Sequence, residues 1–333
     1  MQEIIKNIYS LSSSLGFVDF GIASANELVT EIEHYNNSMK NGYFADMNYL
    51  SKNLEKRFNP KLLFEGAKSI LVFLAPYGDG NNSNICKDTP LINVASYAWG
   101  EDYHLVIKNK LQIILNRIIT LAKNYKEEND STPDTTTGRV FTDSAPILER
   151  AWAVKAGLGF IGKNNFLISR KVGIRTLIGV IIVNIELPQS IKTDDKNYCG
   201  NCTKCLDACP TGALCAPYNL DARKCISYNT IENKQLSQIL ELQNENKKFL
   251  NFNGWYFGCD VCMNACPWNR KNITGWPELL TNKQLLSTAT NEWWKNLSGE
   301  EFKTIFASSP FMRTGLKNIQ ASHILNTRQN INE

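Results

Sequence analysis

CGNCTKCLDACP, residues 199–210, decides how this chain is built. Its cysteines are Cys199, Cys202, Cys205 and Cys209, and Pro210 follows the last. This is the C-x2-C-x2-C-x3-C-P run of bacterial ferredoxins. Three thiolates at i, i+3 and i+6 wrap one 4Fe–4S cube, and the fourth turns away to a second cube. A shorter run, Cys259-x2-Cys262-x3-Cys266-Pro267, repeats the end of the first but lacks its first cysteine. Two cubes need eight thiolates, and the runs supply seven. Cross-ligation gives Cys199, Cys202, Cys205 and Cys266 to one cube. Cys209, Cys259, Cys262 and an eighth thiolate go to the other. Spacing leaves the eighth open among Cys215, Cys225 and Cys86, the last lying in a remote polar loop where a free thiol is the simplest reading. Structural zinc sites also use four cysteines, but the x2, x2, x3, Pro order speaks for clusters.

The rest of the composition agrees with a redox protein of the cell interior. Nine of the ten cysteines follow position 198, at short spacings that suit metal better than disulfides. The N-terminus lacks the basic and apolar regions of a signal peptide. The most apolar stretch, Leu177 to Ile185, is far short of the roughly 20 residues of a membrane-spanning helix. A soluble, cytoplasmic protein with no membrane partner is expected. At 333 residues the chain has room for more than one domain. Its net charge of +4 and pI near 8.4 do not mark a dedicated nucleic-acid binder, whose domain pI usually exceeds about 9. A local basic face drawn from Arg170, Lys171, Arg175, Arg223, Lys224, Arg270 and Lys271 competes with ordinary solvated charge.

Outward from the cysteines, three segments emerge: residues 1–188, 189–275 and 276–333. The first alternates helix-like and strand-like stretches: a helix over 2–14, strands over 18–23, 69–77 and 139–142, and helices over 104–125 and 147–156. The stripe of the long helix is read as Leu105, Leu111, Ile114, Leu115, Ile118 and Leu121. Polar loops are expected over 78–88 and 127–138. The expected fold class is α+β or α/β: an N-terminal mixed domain, a ferredoxin-like two-cluster module and a short helical tail. Gly157-x-Gly159-x-x-Gly162 imitates a dinucleotide fingerprint, and Gly157-x4-Gly162-Lys163-Asn164 imitates a P-loop. Both motifs need a strand before the glycines and a helix after them. Here ILERAWAVKA is helical and NNFLIS strand-like, so the order is reversed. The turn is then either a plain helix cap or a close backbone approach to a large cofactor, with Lys163 and Asn165 as polar contacts.

Five segments together resemble the epoxyqueuosine reductase family: SYAWGEDYH (96–104), DSAPILERAWAVKAGLGFIGKNNFLIS (143–169), CGNCTKCLDACPTGAL (199–214), ARKCISYNTIE (222–232) and FGCDVCMNACPWN (257–269). The resemblance covers roughly residues 1–320. It implies reduction of epoxyqueuosine to queuosine at the wobble position of tRNA, by cobalamin fed from two 4Fe–4S clusters. It makes Cys225 the eighth ligand, puts cobalamin in the N-terminal domain, and places the proton donor at Asp143. Arg57, Tyr97, Lys163 and Ser227 are the implied cofactor or substrate contacts, and Asn165 joins them from the reading of the turn. On the residues alone, Asp143 could instead cap the following helix. Many relatives carry a longer C-terminal region of helical repeats, and the tail FMRTGLKNIQ has Lys317 where arginine-rich character is expected. The tRNA grip is therefore expected near the cofactor mouth, at Arg170–Lys171 and Arg223–Lys224. An external electron donor and a monomeric state complete the expectation. The rivals are a reductive dehalogenase-like cobalamin enzyme acting on a small molecule and a pure electron-transfer module.

The cysteine reading makes a direct prediction. Protein purified without oxygen should hold about eight irons; Cys225→Ser should lose one cluster and Cys86→Ser none. Four irons at full occupancy, or stoichiometric zinc, would contradict it.

Overall fold

The run SILVFLAP offers water no polar face, and in the computed structural model it forms a fully buried strand, β2 (Ser69–Pro76). The structure describes residues 1–80, 93–129, 135–190, 198–241, 251–270 and 273–331. A strand apolar on both faces must be covered on both. β2 lies between β1 (Asp19–Ser24) and β7 (Thr176–Val183), with β4 (Gly138–Phe141) beyond β7, in the order β1-β2-β7-β4. Every pairing in this sheet is antiparallel, which places the domain on the α+β side of the expectation. Leu71, Phe73 and Ala75 face the helices Gln2–Ser14 and Tyr103–Asn129, while Ile70, Val72 and Leu74 face Leu28, Phe58 and Trp152.

The long helix corrects one detail. Its buried face is Tyr103, Ile107, Leu111, Ile114, Leu115, Ile118 and Ala122, whereas Leu105 is 58% exposed. Two residues are roughly 200° apart on a helix, so Leu105 lies opposite Ile107. The next helix spans Glu149–Lys155, and no side chain caps its start. Asp143 lies six residues upstream of Glu149 and is not its cap. The helix ends at Gly157, whose φ of +78° suits glycine; the N–H groups of Gly157 and Leu158 close on Val154 O and Ala153 O at 3.0 Å. A hairpin of β5 (Phe160–Ile161) and β6 (Leu167–Ile168) follows. The order is helix, glycine, strand, as the sequence indicated.

The cysteine-rich segment carries short helices at Lys204–Asp207 and Val261–Asn264 and a hairpin of β8 (Leu214–Ala216) and β9 (Asn219–Leu220). Its β10 (Trp255–Phe257) pairs in parallel with β3 (Asn93–Val94). Met263, Cys266 and Trp276 enter the same core as the long helix. Trp294, Phe306 and Phe311 share another with Val94, Trp99 and Tyr256. Apolar cores thus run across both sequence divisions, at 188 and at 275. Cys86, and parts of the loops expected at 78–88 and 127–138, fall outside the described residues. No helix among those residues is long and apolar enough to cross a membrane.

One contact shows how closely the segments fit. Trp276 Nε1 donates to Gly16 O at 2.8 Å, and Gly16 has φ +89°. A Cβ on Gly16 would stand 2.5 Å from that indole nitrogen. Gly16→Ala should therefore lower unfolding free energy by about 2–4 kcal/mol, from left-handed strain plus overpacking. Chemical denaturation of the iron-loaded protein measures it, and an unchanged midpoint would show that the Trp276 seat yields freely.

Candidate active site and cluster positions

Folding brings the cysteines together in two groups. Cys199, Cys202, Cys205 and Cys266 line one cavity of about 120 Å³, together with Lys163 and Asn164. The other group shows itself through mutual repulsion of thiolate charge: Cys225 feels Cys209, Cys259 feels Cys225 and Cys209, and Cys262 feels all three. Cys215 stands apart and exposed, its thiol directed to Asn219 O in the β8–β9 hairpin at 3.6 Å. Between the two candidates in the described residues, the geometry favours Cys225 as the eighth ligand. Burial pushes the Cys259 thiol up to about 12 and Cys262 well above its ordinary value. Such thiols ionise when a metal replaces the proton. Among the described residues no three Cys, His, Asp or Glu side chains converge as ligands of a single ion. A cube takes one thiolate per iron, so its ligands stand around a wider space than those of mononuclear zinc.

The module is tied to the sheet by polar contacts. Asp260, between Cys259 and Cys262, accepts from Ser96 N and Oγ at 2.8 and 2.7 Å and lies 3.7 Å from Arg175 Nη1. Arg175 also donates to Asn269 and Asn264 at 2.9 and 2.7 Å. It belongs to the interior and leaves the expected basic face. Lys163 Nζ donates to Gly200 O and Cys202 O at 2.6 and 3.0 Å, gripping the loop of the first thiol group.

Asp143 follows β4 with a φ of +52°, a left-handed conformation rare outside glycine. Tyr103 Oη donates to its Oδ2 at 2.6 Å, and His104 Nε2 lies 3.3 Å from the same oxygen. His104 Nδ1 meets Asp102 Oδ1 at 2.6 Å. The Asp143 N–H donates to Glu149. The Asp143 side chain is 60% accessible, with Tyr103 and His104 against its carboxylate and the other side open. Burial alone would raise its pKa, but the bonds from His104 and Tyr103 and the charges of His104 and Arg313 hold it down to about 2. Burial would lower His104; the two carboxylates outweigh it and raise the imidazole to about 9. Burial and the charge of Asp143 push Glu149 up to about 8. At neutral pH the expected acid is therefore a carboxylate, and protons sit on both sides of it.

The other expected contacts divide. Tyr97 packs edge-on against Tyr103 at 5.8 Å and senses the charge of Asp143. Arg57 is 7% exposed and donates to Tyr49 O at 2.6 Å, while its Nε has no partner among the described residues. Tyr49 senses both Asp143 and Arg313. Ser227 leads into the turn Tyr228–Glu232, and Glu232 holds Arg313 at 2.6 and 2.9 Å. Asn165 takes a φ of +64° and its carbonyl accepts from Arg150, beside Glu149. Asp102, Tyr103, His104, Glu149, Glu232 and Arg313 were not singled out from sequence, although all lie in the segments quoted there. On the surface, Arg223 is 55% exposed and pairs with Asp221 at 2.7 Å, Lys171 pairs with Asp19 at 3.2 Å, and Arg170 donates to Tyr198 Oη.

Known proteins match this architecture. Residues 198–269 match a family model described as "4Fe-4S double cluster binding domain", and residues 57–144 one described as "Epoxyqueuosine reductase QueG, DUF1730". The curated epoxyqueuosine reductase of Leadbetterella byssophila is 36% identical over 323 residues, 96% of this chain and 97% of that protein. That of Cyclobacterium marinum is 38% identical over 311 residues, 93% and 92% of the two chains. A crystal structure of epoxyqueuosine reductase with an epoxyqueuosine-modified tRNA-Tyr stem loop superposes with a TM-score of 0.78 at 27% identity, covering 98% of this chain and 81% of the other. The protein is thus an oxidoreductase whose double-cluster domain holds two 4Fe–4S clusters. The chain belongs to the epoxyqueuosine reductase family.

The Asp102–His104–Asp143 chain has a pH signature. The folded pKa of His104, about 9, exceeds the ordinary imidazole value of about 6.5. Its stabilisation is full below about 6.5 and is lost as pH rises through about 9. His104→Gln should therefore be less stable than wild type by on the order of 2 kcal/mol at pH 6, and the gap should close by pH 10. Denaturant titrations of both proteins at pH 6, 8 and 10 test this. A gap independent of pH would mean that no imidazolium is present.

Proposed function

We propose that this chain reduces the epoxide of epoxyqueuosine at the wobble position of tRNA, with cobalamin over the Asp143 recess as the reacting centre. Family membership over nearly the whole chain supports the reaction, and disfavours the dehalogenase and electron-carrier alternatives. The observation that carries the mechanism is the path of residues 225–232. This segment supplies the eighth thiolate, Cys225, and ends at Glu232, whose Arg313 partner acts on Asp143. Electrons leaving the second cluster thus arrive where protons are held. Cys199, Cys202, Cys205 and Cys266 would hold one cluster and Cys209, Cys225, Cys259 and Cys262 the other.

The recess fits a large polar-edged cofactor. Asp143 is 60% accessible, and a buried arginine nitrogen, Arg57 Nε, lacks a partner among the described residues. Arg57, Tyr97, Asn165 and Ser227 would hold cobalamin there, with Lys163 fixing the adjoining cluster loop. When bound, cobalamin supplies a strongly reducing cobalt nucleophile. Reducing the epoxide to the cyclopentene takes two electrons and two protons, and the oxygen leaves as water. The chain holds two protons beside Asp143, on His104 and on Glu149. Asp143 is the open end of that store, taking a proton from His104 and passing it to the leaving oxygen. An external one-electron donor feeds the clusters. A tRNA stem loop bound to a structural relative supports tRNA as substrate. Its phosphates would meet Arg223–Lys224 and Arg170–Lys171, giving salt-sensitive binding. The protein acts as a cytoplasmic monomer in this reading.

Asp143→Asn should keep eight irons, cobalamin and tRNA binding while turnover falls by about 10²–10⁴-fold, the usual contribution of general acid catalysis. Single-turnover assays with epoxyqueuosine-containing tRNA measure it. Turnover near the wild-type rate would remove Asp143 from the chemistry.

A further inference from the structure

Asn164 is 4% exposed and lines the cavity shared by Cys199, Cys202, Cys205 and Cys266. Its Nδ2 is fully buried without a hydrogen-bond partner among the described residues. The orientation of the amide is fixed by its other end, since Oδ1 accepts from Phe166 N at 3.3 Å. A flipped amide would set N–H against N–H. An unsatisfied buried donor costs about 1–3 kcal/mol, and the cavity that Asn164 lines is walled by four cysteines, whose cluster would bring the acceptor this donor lacks.

We propose that Asn164 donates an N–H···S hydrogen bond to the 4Fe–4S cluster held by Cys199, Cys202, Cys205 and Cys266, and thereby makes that cluster easier to reduce. The inference rests on the assignment of these four thiolates to one cluster. Cube sulfides and thiolates carry negative charge and accept hydrogen bonds, and such bonds are a recognised determinant of cluster potential. Reduction adds a further negative charge, so a donor stabilises the reduced state more than the oxidised one.

The surrounding turn holds the amide in place. Asn165 N closes on Gly162 O at 2.8 Å, and a Cβ on Gly162 would come within 2.5 Å of Ile168 Cδ1 and 2.8 Å of Asn164 Oδ1. Lys163, the other nitrogen donor of the turn at this cavity, is engaged by Gly200 O and Cys202 O. Two of the three ammonium N–H groups are thus spent on the loop, whereas the Asn164 amide N–H groups have no partner among the described residues.

The test is a potentiometric EPR titration of the two clusters in wild type, Asn164→Leu and Asn164→Asp. In Asn164→Leu at eight irons, one potential should fall by about 59 mV, a tenfold change in a one-electron reduction constant, while the other stays. Asn164→Asp keeps the side-chain shape and replaces the donor with an acceptor. The same cluster should move down in it, and this variant carries the test if the leucine variant loses iron. Two unchanged potentials in an eight-iron variant overturn the proposal. Fewer than eight irons in fully loaded wild type would instead defeat the cluster assignment beneath it.

Discussion

A half-buried guanidinium and the buried carboxylate of Asp260 set how the cysteine-rich module docks on the sheet. Arg175 stands immediately before β7 and reaches Ser96, Asp260, Asn264 and Asn269. Taking a carboxylate and a guanidinium out of water costs several kcal/mol per ion, and only a nearly complete set of hydrogen bonds offsets it. Asp260 completes its share with two bonds from Ser96. The partners are informative by position. Asp260 lies between Cys259 and Cys262, and Asn264 and Asn269 flank Cys266, which joins the other cysteine group. Both clusters are therefore registered against the central strands of the sheet, and Ser96 carries that register to Tyr97. A small slide of the module would strand charges in the interior, so the docked arrangement is strongly specified.

Register alone does not explain how a group with a pKa near 2 could serve as the proposed acid. The answer lies in its partner. Asp102 accepts the His104 backbone N–H at 3.0 Å, near the start of the long helix, and also holds the ring. A helix N-terminus disfavours imidazolium, but two carboxylates reverse that preference. In the open recess, water and the ion pair keep Asp143 charged. Covering the recess with cofactor and substrate removes that water, and desolvation penalises the charged forms of both partners. Moving one proton from His104 to Asp143 turns an ion pair into a neutral pair. In the proposed reaction, such covering would favour the protonated acid when the leaving oxygen is present.

The sequence made the local features legible and hid those that depend on long-range contacts. Cysteine spacing is set by the geometry of one cube, so the seven motif cysteines could be apportioned from short-range order alone. The choice between Cys215 and Cys225 needed the resemblance, because what separates them is a fold contact: Cys215 is turned outward by the β8–β9 hairpin. Strand β2 was readable because both of its faces are apolar. Leu105 was misplaced because a leucine at the edge of a periodic run looks the same whether it faces core or solvent. The shared cores across 188 and 275 could not be seen, since β3 and β10 are short and pair across some 160 residues. The proton-holding groups were missed for a related reason. His104 is raised by Asp102, two residues away, and by Asp143, 39 residues away, while Glu149 is raised by burial and then by Asp143, six residues away, so its burial and the Asp143 contact are set by the fold.

The glycine-rich turn joins these strands of reasoning. In composition it looks like a phosphate cradle, because both a cradle and this turn need backbone where side chains do not fit. The difference lies in what comes before and after. A strand-to-helix turn presents N–H groups and the positive end of a helix to an anion. A helix-to-strand turn presents the wrong end of the helix, so its backbone is a poor anion site. Its side chains then become the useful groups. Gly157 ends the helix, Gly162 leaves room for the Asn164 carbonyl, and the two residues after Gly162 project toward the first thiol group. Lys163 and Asn164 therefore line the cavity of four cysteines from a motif shaped like a nucleotide site.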